Sequence, residues 1–585
     1  MKEKHPKNQV NLTDLISKKL EKALVEAVNK AYPELKISEV LVEIPKDRDH
    51  GDFTTPISLK IAKQIGENPL KIAENIHKNC KTPAQIEKSN ILPPGFINFF
   101  YSDEYVNHQI ADLDKNGEKS LKPTLSQKET IVIDYSSPNI AKPLGVHHLL
   151  STVIGQSLYN IYTFIGYETV SDNHLGDYGT QFGKLIYAYK QWGDKKQIEK
   201  DPNNELLNLY VKFHKEVKKD PQLDDLAREE FKKLEEGNKE NSDLWEWFLA
   251  ESLRDLEKTY KNLGVSFDNY LGESFYNGKM EPIIEKGIKE KLFVEGEQGA
   301  LIYKFKGEET PAVIKKKDGT TLYITRDFAT IEHRAKTWNP SKNIYVVDRA
   351  QSLHFIQLFE IVSKLFPEYK DMKNYHVDFG RMNFKDKKMS TREGNVLPLE
   401  EVLKEAQKRT AELLKTKKEE TRIKDFDKAA EQIGISSVKY SILSQNRGTD
   451  IVFDWDKILT LEGNSAPYLQ YTCARAMSII RKNEEDLEYV LIDPMDEGSF
   501  EYQLAREVAH FKEYLYQSAV EFKPNILATY LYELTQAFNS FYNSVPVLKA
   551  QTKGVLKMRL ALVKAFSETL RTGMKLLCID VLEEM

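Results

Sequence analysis

The sequence predicts an α/β protein with a Rossmann-like parallel-sheet domain, an N-terminal α+β domain and a C-terminal α-helical bundle. Between about residues 130 and 400, β-branched runs alternate with amphipathic stretches, as in a parallel sheet with crossover helices. A shorter unit of helices and strands precedes this region, and almost purely helical periodicity follows it. The chain has 585 residues, too many for one hydrophobic core, so several domains are expected.

The first predicted domain spans residues 1–115, and a polar stretch at 116–129 is typical of a linker. Hydrophobic periodicity and turn residues predict the elements inside it. In chain order these are a helix near 12–31, a strand at Val40–Ile44, a helix at 56–65 and a closing strand at Phe96–Tyr101.

The second predicted domain spans residues 130–400, and the helical domain spans 401–585. The alternating elements of the second domain are strands at 130–136, 167–172, 343–348 and 375–379, and helices at 146–164 and from about 179. A charge-dense region at about 190–262 interrupts this alternation and indicates a solvated helical insertion without catalytic residues. In the third domain the longest amphipathic stretches lie at 503–521 and 555–577.

Composition restricts the class of protein. Hydrophobic residues make up 41% and charged residues 30%, as in ordinary globular proteins, and the net charge of −5 neither indicates nor excludes nucleic-acid binding. Cys80, Cys473 and Cys578 are scattered without a CxxC pair, which argues against structural zinc or a disulfide framework and suits a reducing cytosol. With no signal peptide and no apolar run of about 20 residues, we expect a cytoplasmic protein without a membrane span or a dedicated metal site.

The segment from Ile131 to His148 predicts a phosphate-binding helix N-terminus. A β-branched strand gives way to a polar loop with a Pro-Leu-Gly turn, and His147 and His148 then open an amphipathic helix. Free N–H groups and the positive end of the helix dipole attract phosphate, and imidazoles add donors. On an ideal helix Gly145 and His148 share a face, whereas His147 points elsewhere.

A second polar segment contains Lys387, Lys388 and Arg392, followed by Gly394. Three cations within six residues, beside a glycine that allows movement, can hold a polyphosphate leaving group. Taken alone, such a cluster is more often a solvated surface loop. Its interpretation changes when it is paired with the helix-opening segment, because the order of the two and their spacing of about 240 residues resemble a known pair of family signatures.

The same segments resemble the signatures of arginyl-tRNA synthetases, a family of class I aminoacyl-tRNA synthetases. SSPNIAKPLGVHH resembles Ser-Pro-Asn-x-x-Lys-Pro followed by His-x-Gly-His, with Gly145 in place of the first His and His147 in place of Gly. KKMSTREGN resembles the Lys-Met-Ser-Lys loop in the arginyl variant, where Thr replaces the second Lys. Further resemblance covers essentially the whole chain: HGDF (50–53), PPGFINF (93–99), SDNHLGDYGTQFG (171–183), YITRDFATIEHR (323–334) and FDWDKILTLEGNSAPYLQYTCARAMSII (453–480).

The resemblance implies activation of L-arginine with ATP and transfer of arginine to the terminal ribose of tRNA(Arg). A guanidinium has five donors in a planar fork and is best met by a carboxylate, for which Asp327 is the candidate, with Tyr323 on the same face if that stretch is helical. The family match implies the same two residues for the guanidinium. It also implies Asp134, Asn139 and Gln351 for the rest of the amino acid. Taken alone, Asp327 would be interpreted as a surface ion pair with Arg326, and the others as turn or packing residues.

The resemblance also assigns the phosphate chemistry. Its candidate catalytic residues are Lys142, His148, Lys388 and Arg392, and its candidate ATP-binding residues are Gly145, His147, His148, Met389 and Ser390. Lys142 would supply the charge that Thr391 cannot. We expect Mg²⁺ to arrive with ATP, bound mainly by phosphates and water.

For tRNA, anticodon bases are usually recognised by aromatic stacking and by hydrogen bonds to base edges. The C-terminal candidates are Tyr468, Tyr471, Arg475 and Arg481, although Tyr and Arg on helices are more often packing or surface residues. The family also implies that the N-terminal domain touches the tRNA elbow, while Phe53 and Phe96 are predicted to be core residues. A monomer is the family expectation.

Two other hypotheses compete with an active synthetase. The altered histidine signature leaves open a catalytically impaired synthetase-like protein that binds RNA or a partner. A dinucleotide oxidoreductase is disfavoured because no GxGxxG follows the first strand of the α/β domain.

Overall fold

A computed structural model of the chain describes residues 8–296, 299–307, 310–317, 319, 321–385, 397–416, 423–483, 495–496 and 498–584. Within these ranges the chain forms an N-terminal α+β domain, a parallel-sheet domain and a C-terminal helical bundle, which confirms the predicted fold class. No helix of the described residues is long and apolar enough to cross a membrane.

The N-terminal domain packs helices against a small antiparallel sheet with the strand order β1-β3-β2. Its elements are α1 (Ile16–Ala31), β1 (Phe53–Thr55), α2 (Ile57–Ile65), α3 (Pro69–Asn79), β2 (Ile86–Leu92), β3 (Phe96–Tyr101) and α4 (Asp103–Asn116). Phe53 is fully buried and Phe96 is half-buried.

The predicted strand at Val40–Ile44 is wrong. Only an isolated bridge between Glu43 and Thr54 forms there, at the outer edge of β1, which is three residues long and so offers little length for pairing. In the predicted linker, Gly117–Leu121 forms a 3₁₀ helix with a buried leucine at its end.

The second domain contains a parallel sheet with the order β10-β9-β4-β5. Its elements are β4 (Thr130–Asp134), α5 (Val146–Ile165), β5 (Glu168–Asp172), α6 (Thr180–Trp192), α7 (Lys195–Lys200), α8 (Pro202–Val217), α9 (Gln222–Glu235), α10 (Lys239–Leu263), α11 (Glu281–Lys289), β6 (Phe293–Glu295), β7 (Leu301–Tyr303), β8 (Ala312–Lys315), α12 (Tyr323–Trp338), β9 (Lys342–Asp348), α13 (Ser352–Leu365), β10 (Lys373–Phe379) and β11 (Met382–Phe384). The four predicted strands and both predicted helices are confirmed, whereas the antiparallel sheet β6-β7-β8 was not predicted.

Strand β4 has β5 on one side and β9 on the other, so the strand order reverses beside it. In open α/β sheets, ligands bind at such a point, outside the carboxyl ends of the strands. Helix α5 packs close to the start of the loop that connects β4 to it. A Cβ on Gly155 would lie 2.2 Å from Cγ of Tyr135, which leaves room for glycine alone. The fold therefore directs attention to the carboxyl ends of β4 and β9.

The C-terminal domain is a helical bundle. Its elements are α14 (Leu399–Thr416), α15 (Phe426–Leu443), β12 (Ile451–Phe453), α16 (Trp455–Ile458), α17 (Ala466–Arg481), α18 (Phe500–Ala509), α19 (Phe511–Val520), α20 (Pro524–Ser544) and α21 (Lys553–Leu576). The predicted helix at 503–521 is divided in two at His510, and the one at 555–577 is confirmed as α21. Strand β12 pairs with β11 and so joins the bundle to the parallel-sheet domain.

The N-terminal domain is attached to the bundle through buried charges, which we call the interface cluster. The Asp52 carboxylate accepts from Arg506 Nε at 2.5 Å and lies 2.9 Å from His510 Nε2. Beside it, Arg48 donates to both carboxylate oxygens of Glu507, at 2.6 and 2.9 Å. Burial alone would raise the pKa of Asp52, but its bonds to His510 and Arg506 hold that pKa below the usual value.

Candidate active site

The first turn of α5 pairs with the chain that follows the second polar segment. Val146 N–H donates to Leu397 O at 3.1 Å, and Leu399 N–H donates to Leu144 O at 2.7 Å. The predicted phosphate-binding residues Lys388, Met389, Ser390 and Arg392 lie outside the described residues, as does Thr391. The structure thus brings the residues just after that segment to the helix N-terminus predicted to bind phosphate.

His148 caps the helix that it begins. Its Nδ1 accepts a hydrogen bond from Gly145 N–H at 3.1 Å, which a neutral imidazole can do only with its proton on Nε2. Burial, with a contribution from His147, lowers the pKa of His148 to about 3, so the ring is neutral and presents an Nε2–H donor.

His147 lies closer to His148 than ideal helix geometry predicts. The two ring centroids are 3.8 Å apart. His147 is exposed, and burial of part of its ring lowers its pKa while Asp348, at the end of β9, opposes that effect. Both imidazoles therefore belong to one contiguous surface at the start of α5.

A buried trio of charges, which we call the floor cluster, lies at the carboxyl ends of β4 and β5. Arg334 Nη2 donates to Asp134 Oδ2 at 2.6 Å and to Asp172 Oδ2 at 2.7 Å, and Nη1 donates to Asn343 Oδ1 at 3.2 Å. Arg334 and Asp172 are fully buried and Asp134 is 5% exposed. Burial raises the pKa of Asp172, Arg334 opposes that rise, and Asp134 adds to it.

The loop between β4 and α5 (residues 135–145) holds two further candidates. Asn139 is exposed and forms a bridge with Gly176, where a Cβ would lie 2.3 Å from Asn139 Oδ1. Lys142 is half-buried, and its ammonium lies 5.0 Å from the ring centroid of Tyr210 on α8. The predicted phosphate lysine is therefore in contact with the helical insertion.

Helix α12 confirms that Tyr323 and Asp327 share a helical face. Tyr323 is 72% exposed, and the Asp327 carboxylate lies 2.6 Å from His354 Nε2, near the start of α13. Burial would lower the pKa of His354, but its hydrogen bond to Asp327 outweighs that effect and raises it. The ion pair with Arg326 that competed with a binding role does not form, because Arg326 pairs with Glu273 at 3.0 Å.

A 3₁₀ helix, Arg349–Gln351, follows β9 directly. Gln351 is its last residue and is exposed. It comes three residues before His354, so it lies at the same helix start as the partner of Asp327. Asp134 thus lies at the carboxyl end of β4. Asp327 lies on the helix that follows β8, and Gln351 lies at the start of the helix that follows β9.

The four predicted tRNA residues lie on α17, where Arg481 is exposed and Tyr468, Tyr471 and Arg475 are half-buried. The Arg475 guanidinium lies near two rings, 4.7 Å from that of Tyr471 and 5.0 Å from that of Tyr542. Tyr468 accepts from Asn539 at 2.9 Å. These contacts form an aromatic and cationic surface within the bundle.

Sequence reasoning missed four residues of this site: Asp172, Glu273, Arg334 and His354. Helical spacing could have found Arg334, since it lies two turns after Asp327 on the same face of α12. Glu273 is 15% exposed at its side chain, and burial raises its pKa while Arg326 opposes the rise. No local pattern marks Asp172 or Glu273, because their partners are distant in sequence.

Comparison with known families divides the chain into three matches. Residues 109–455 match the model described as "tRNA synthetases class I (R), catalytic domain". Residues 15–101 match the arginyl tRNA synthetase N terminal domain, and residues 469–585 match the DALR anticodon binding domain. The first match alone covers more than half of the chain.

Relatives and solved structures agree with these matches. An arginine–tRNA ligase of Fusobacterium nucleatum is 41% identical over 576 residues, covering 98% of this chain and all of the relative, and one of Clostridium acetobutylicum is 39% identical over 571 residues, covering 96% and 99%. The arginyl-tRNA synthetase structure from Plasmodium falciparum superposes with a TM-score of 0.83 at 27% identity, covering 99% of this chain and all of that one. The Thermus thermophilus structure, at 22% identity, shows the same fold with a TM-score of 0.82 over 98% of this chain and all of that one. None of these matches supports the alternative of a non-catalytic RNA-binding protein.

Proposed function

This chain belongs to the arginyl-tRNA synthetase family, and we propose that it holds arginine between the carboxyl ends of β4 and β9 and the start of α12. It is an aminoacyl-tRNA ligase with arginine, ATP and tRNA as substrates. An arginine carboxylate oxygen bonds to the α-phosphorus of ATP, the bond to the β-phosphate breaks, and pyrophosphate leaves. The terminal ribose hydroxyl of tRNA(Arg) then takes the arginyl group, and AMP leaves with the electron pair of the broken acyl–phosphate bond.

The guanidinium is proposed to bind Asp327, with Tyr323 beside it. The Asp327 carboxylate already bonds to His354 Nε2 at 2.6 Å and raises the pKa of that ring, so it lies where it stabilises a positively charged group. A pocket lined by carboxylates leaves them unpaired when another amino acid enters, which is a strong basis for selectivity. Arginine selection therefore needs no separate editing site.

The α-ammonium and carboxylate ends of arginine are proposed to bind Asp134, Asn139 and Gln351. The floor cluster supports this role for Asp134, since its two carboxylates share one guanidinium and leave an excess negative charge. A cationic ligand group would offset that charge.

The ATP phosphates are proposed to lie over the start of α5. Gly145, His147 and His148 form this surface, and the Nε2–H of neutral His148 is a donor toward it. Lys142, Lys388 and Arg392 would stabilise charge on the α-phosphate and on the departing pyrophosphate, with Met389 and Ser390 contributing to the ATP contact. Mg²⁺ is proposed to arrive with ATP, bound mainly by the phosphates and water.

The tRNA anticodon is proposed to stack on the α17 surface of Tyr468, Tyr471, Arg475 and Arg481. The group of the Arg475 guanidinium and two nearby tyrosine rings supports this, because planar cations and rings stack with bases. We expect the protein to act as a cytoplasmic monomer, with its N-terminal domain on the tRNA elbow.

One observation supports these assignments: Leu144 and Val146 pair with Leu397 and Leu399, so the residues just after the second signature meet the helix start that bears the first. The test is tRNA-dependent formation of arginyl-tRNA from radiolabelled arginine. We expect ATP-dependent product, and none when lysine replaces arginine. Absence of product while tRNA still binds would overturn the function in favour of an impaired synthetase-like protein.

The histidine assignment has its own test. Replacing His148→Ala removes the Nε2–H donor and the cap on Gly145, so we expect the rate constant to fall about tenfold to a hundredfold. Tyr159→Phe on the same helix is the matched control, since its hydroxyl lies toward Asp268 and away from this surface. A His148→Ala enzyme with the full rate would refute the role.

A further inference from the structure

The helical insertion is not solvated throughout, contrary to its charge-dense sequence. Ser252 and Tyr260 on α10 are 0% and 2% exposed. Ser252 contacts the loop of residues 135–145, and Tyr260 contacts that loop and the loop after β5. The loop of residues 135–145 carries residues that are proposed to bind arginine and the phosphates. The buried face of α10 therefore packs against the loops of the candidate site, on the side away from the substrate.

The loop that α10 supports has an unusual backbone. Ser136, Ser137 and Ala141 have φ angles of 72°, 46° and 63°, in the left-handed region that side chains other than glycine rarely occupy. Such conformations cost free energy and persist only where surrounding contacts impose them. Their concentration between Asp134 and Lys142 calls for an external support.

Tyr260 supplies that support at the start of the loop. Its hydroxyl lies 2.8 Å from Ser136 Oγ and accepts from Asn173 Nδ2 at 3.1 Å. The same asparagine accepts from Ser137 N–H at 3.0 Å. Burial raises the pKa of Tyr260 to about 12, so the hydroxyl keeps its proton at neutral pH.

The contact continues to Asp134. Ser137 Oγ donates to Asp134 Oδ1 at 2.9 Å, so the residue fixed by Asn173 also orients this carboxylate. At the other end of the loop, Ala141 N–H donates to Ser252 Oγ at 3.3 Å. Helix α10 thus holds both ends of one strained loop.

We propose that Tyr260 is a positioning residue for arginine binding, acting through Ser136, Asn173 and Ser137 on the Asp134 carboxylate. The proposal rests on the assignment of Asp134 to the substrate ammonium. It gives the insertion a function in the reaction: its last helix maintains the loop conformation that the arginine site needs, without touching substrate itself.

The test compares Tyr260→Phe with the unaltered full-length enzyme in aminoacylation at saturating tRNA, varying arginine and ATP in turn. Tyr260→Phe removes both hydrogen bonds of this hydroxyl, and losing a single buried hydrogen bond corresponds to about a tenfold change in an equilibrium, so we expect KM for arginine to rise at least about tenfold. We expect KM for ATP to change less than about twofold and the melting temperature to stay within about 2 °C. Tyr189→Phe on α6, whose ring packs on Trp247, is the control and should leave all three unchanged.

Ser136→Ala removes the other partner of the same hydrogen bond. Each single variant also loses a second contact, since Thr152 Oγ1 lies 2.8 Å from Ser136 Oγ and Asn173 bonds to Tyr260. If both residues act through their shared contact, the double variant with Tyr260→Phe should lose less than the sum of the two single variants. An unchanged KM for arginine in both single variants would overturn the proposal. So would equal losses toward arginine and ATP together with a lower melting temperature, since that is a packing effect.

Asp134→Asn separates this inference from the assignment beneath it. If Asp134→Asn raises KM for arginine while Tyr260→Phe does not, the positioning role fails and the arginine assignment stands. If Asp134→Asn leaves KM for arginine unchanged, the assignment itself fails, and the positioning proposal falls with it.

Discussion

The floor cluster and the interface cluster are two sets of buried ion pairs with different charge balance. The buried part of the interface cluster matches two carboxylates with two guanidiniums, and its histidine is buried with a lowered pKa. A third carboxylate, Glu533, lies 3.9 Å from Arg48 but is exposed to solvent. The floor cluster sets two carboxylates, Asp134 and Asp172, against one guanidinium. Buried charge alone therefore does not mark a binding site, because the balanced set serves to join two domains.

The position of the excess charge carries the functional information. The floor cluster lies at the carboxyl ends of β4 and β5, beside the reversal of strand order where ligands enter. A net negative charge is costly to bury unless a cation completes it. The comparison thus predicts that the floor cluster binds a cationic substrate, whereas the interface cluster holds two domains together.

The largest expected effect comes from Arg334→Met. It would leave Asp134 and Asp172 buried without a guanidinium, which for broken buried pairs costs about 3–5 kcal/mol, so the unfolding midpoint in urea should fall clearly. Adding Asp172→Asn should recover part of the loss. Arg506→Met at the interface should cost less, because Asp52 keeps its contact with His510.

Equal urea midpoints for Arg334→Met and the unaltered protein would contradict this prediction, since the guanidinium would then not be needed to hold the two carboxylates. A larger loss for Arg506→Met than for Arg334→Met would reverse it.

An intermediate effect is expected from acid on the interface cluster. Burial lowers the pKa of His510, with Asp52 opposing, so the unfolded chain binds a proton below about pH 6.5 that the folded chain does not. Stability should therefore decrease as pH falls from 6.5, by at most about 1.4 kcal/mol per pH unit from this group. Below about pH 4 the lowered pKa of Asp52 acts in the same direction. Glu513, whose pKa burial raises, acts in the opposite direction and does so above about pH 4.5.

His510→Gln isolates this contribution. Melting temperatures of the two proteins between pH 5 and 7.5, at constant salt, should converge as the pH falls, because only the unaltered protein loses the histidine contribution. Parallel curves would show that His510 does not titrate on unfolding.

The smallest expected effect concerns the histidine of the arginine site, whose pKa moves the other way. The bond to Asp327 raises the pKa of His354, so its stabilising contribution is present below about pH 6.5 and is lost as pH rises through the raised value. Charged His354 competes with the substrate guanidinium for Asp327. We therefore expect KM for arginine to fall by about threefold to tenfold between pH 6 and 8.

His354→Asn should flatten this dependence while keeping a polar side chain at the position. The same pH profile in both enzymes would mean that another group controls arginine binding. A rise in KM with pH in the unaltered enzyme would contradict the competition itself.

The sequence predicted much of the fold because its elements are encoded locally. Strand β4, helix α5 and helix α12 follow from periodicities of two and 3.6 residues, and the shared face of Tyr323 and Asp327 follows from the second. The strand expected at Val40–Ile44 failed, since an apolar alternation does not reveal how long the neighbouring strand is.

By itself, then, the sequence determined the fold class, the order of the domains and the residues that bear the two nucleotide signatures. Only the tertiary structure decided which charges meet. Arg334 bonds to Asp134 across 200 residues and to Asp172 across 162, and Tyr260 reaches Ser136 across 124. These contacts depend on strand order and on the packing of α10 and α12, which spacing along the chain does not encode. The physical reason is that buried polar groups bond to whichever elements the sheet brings together.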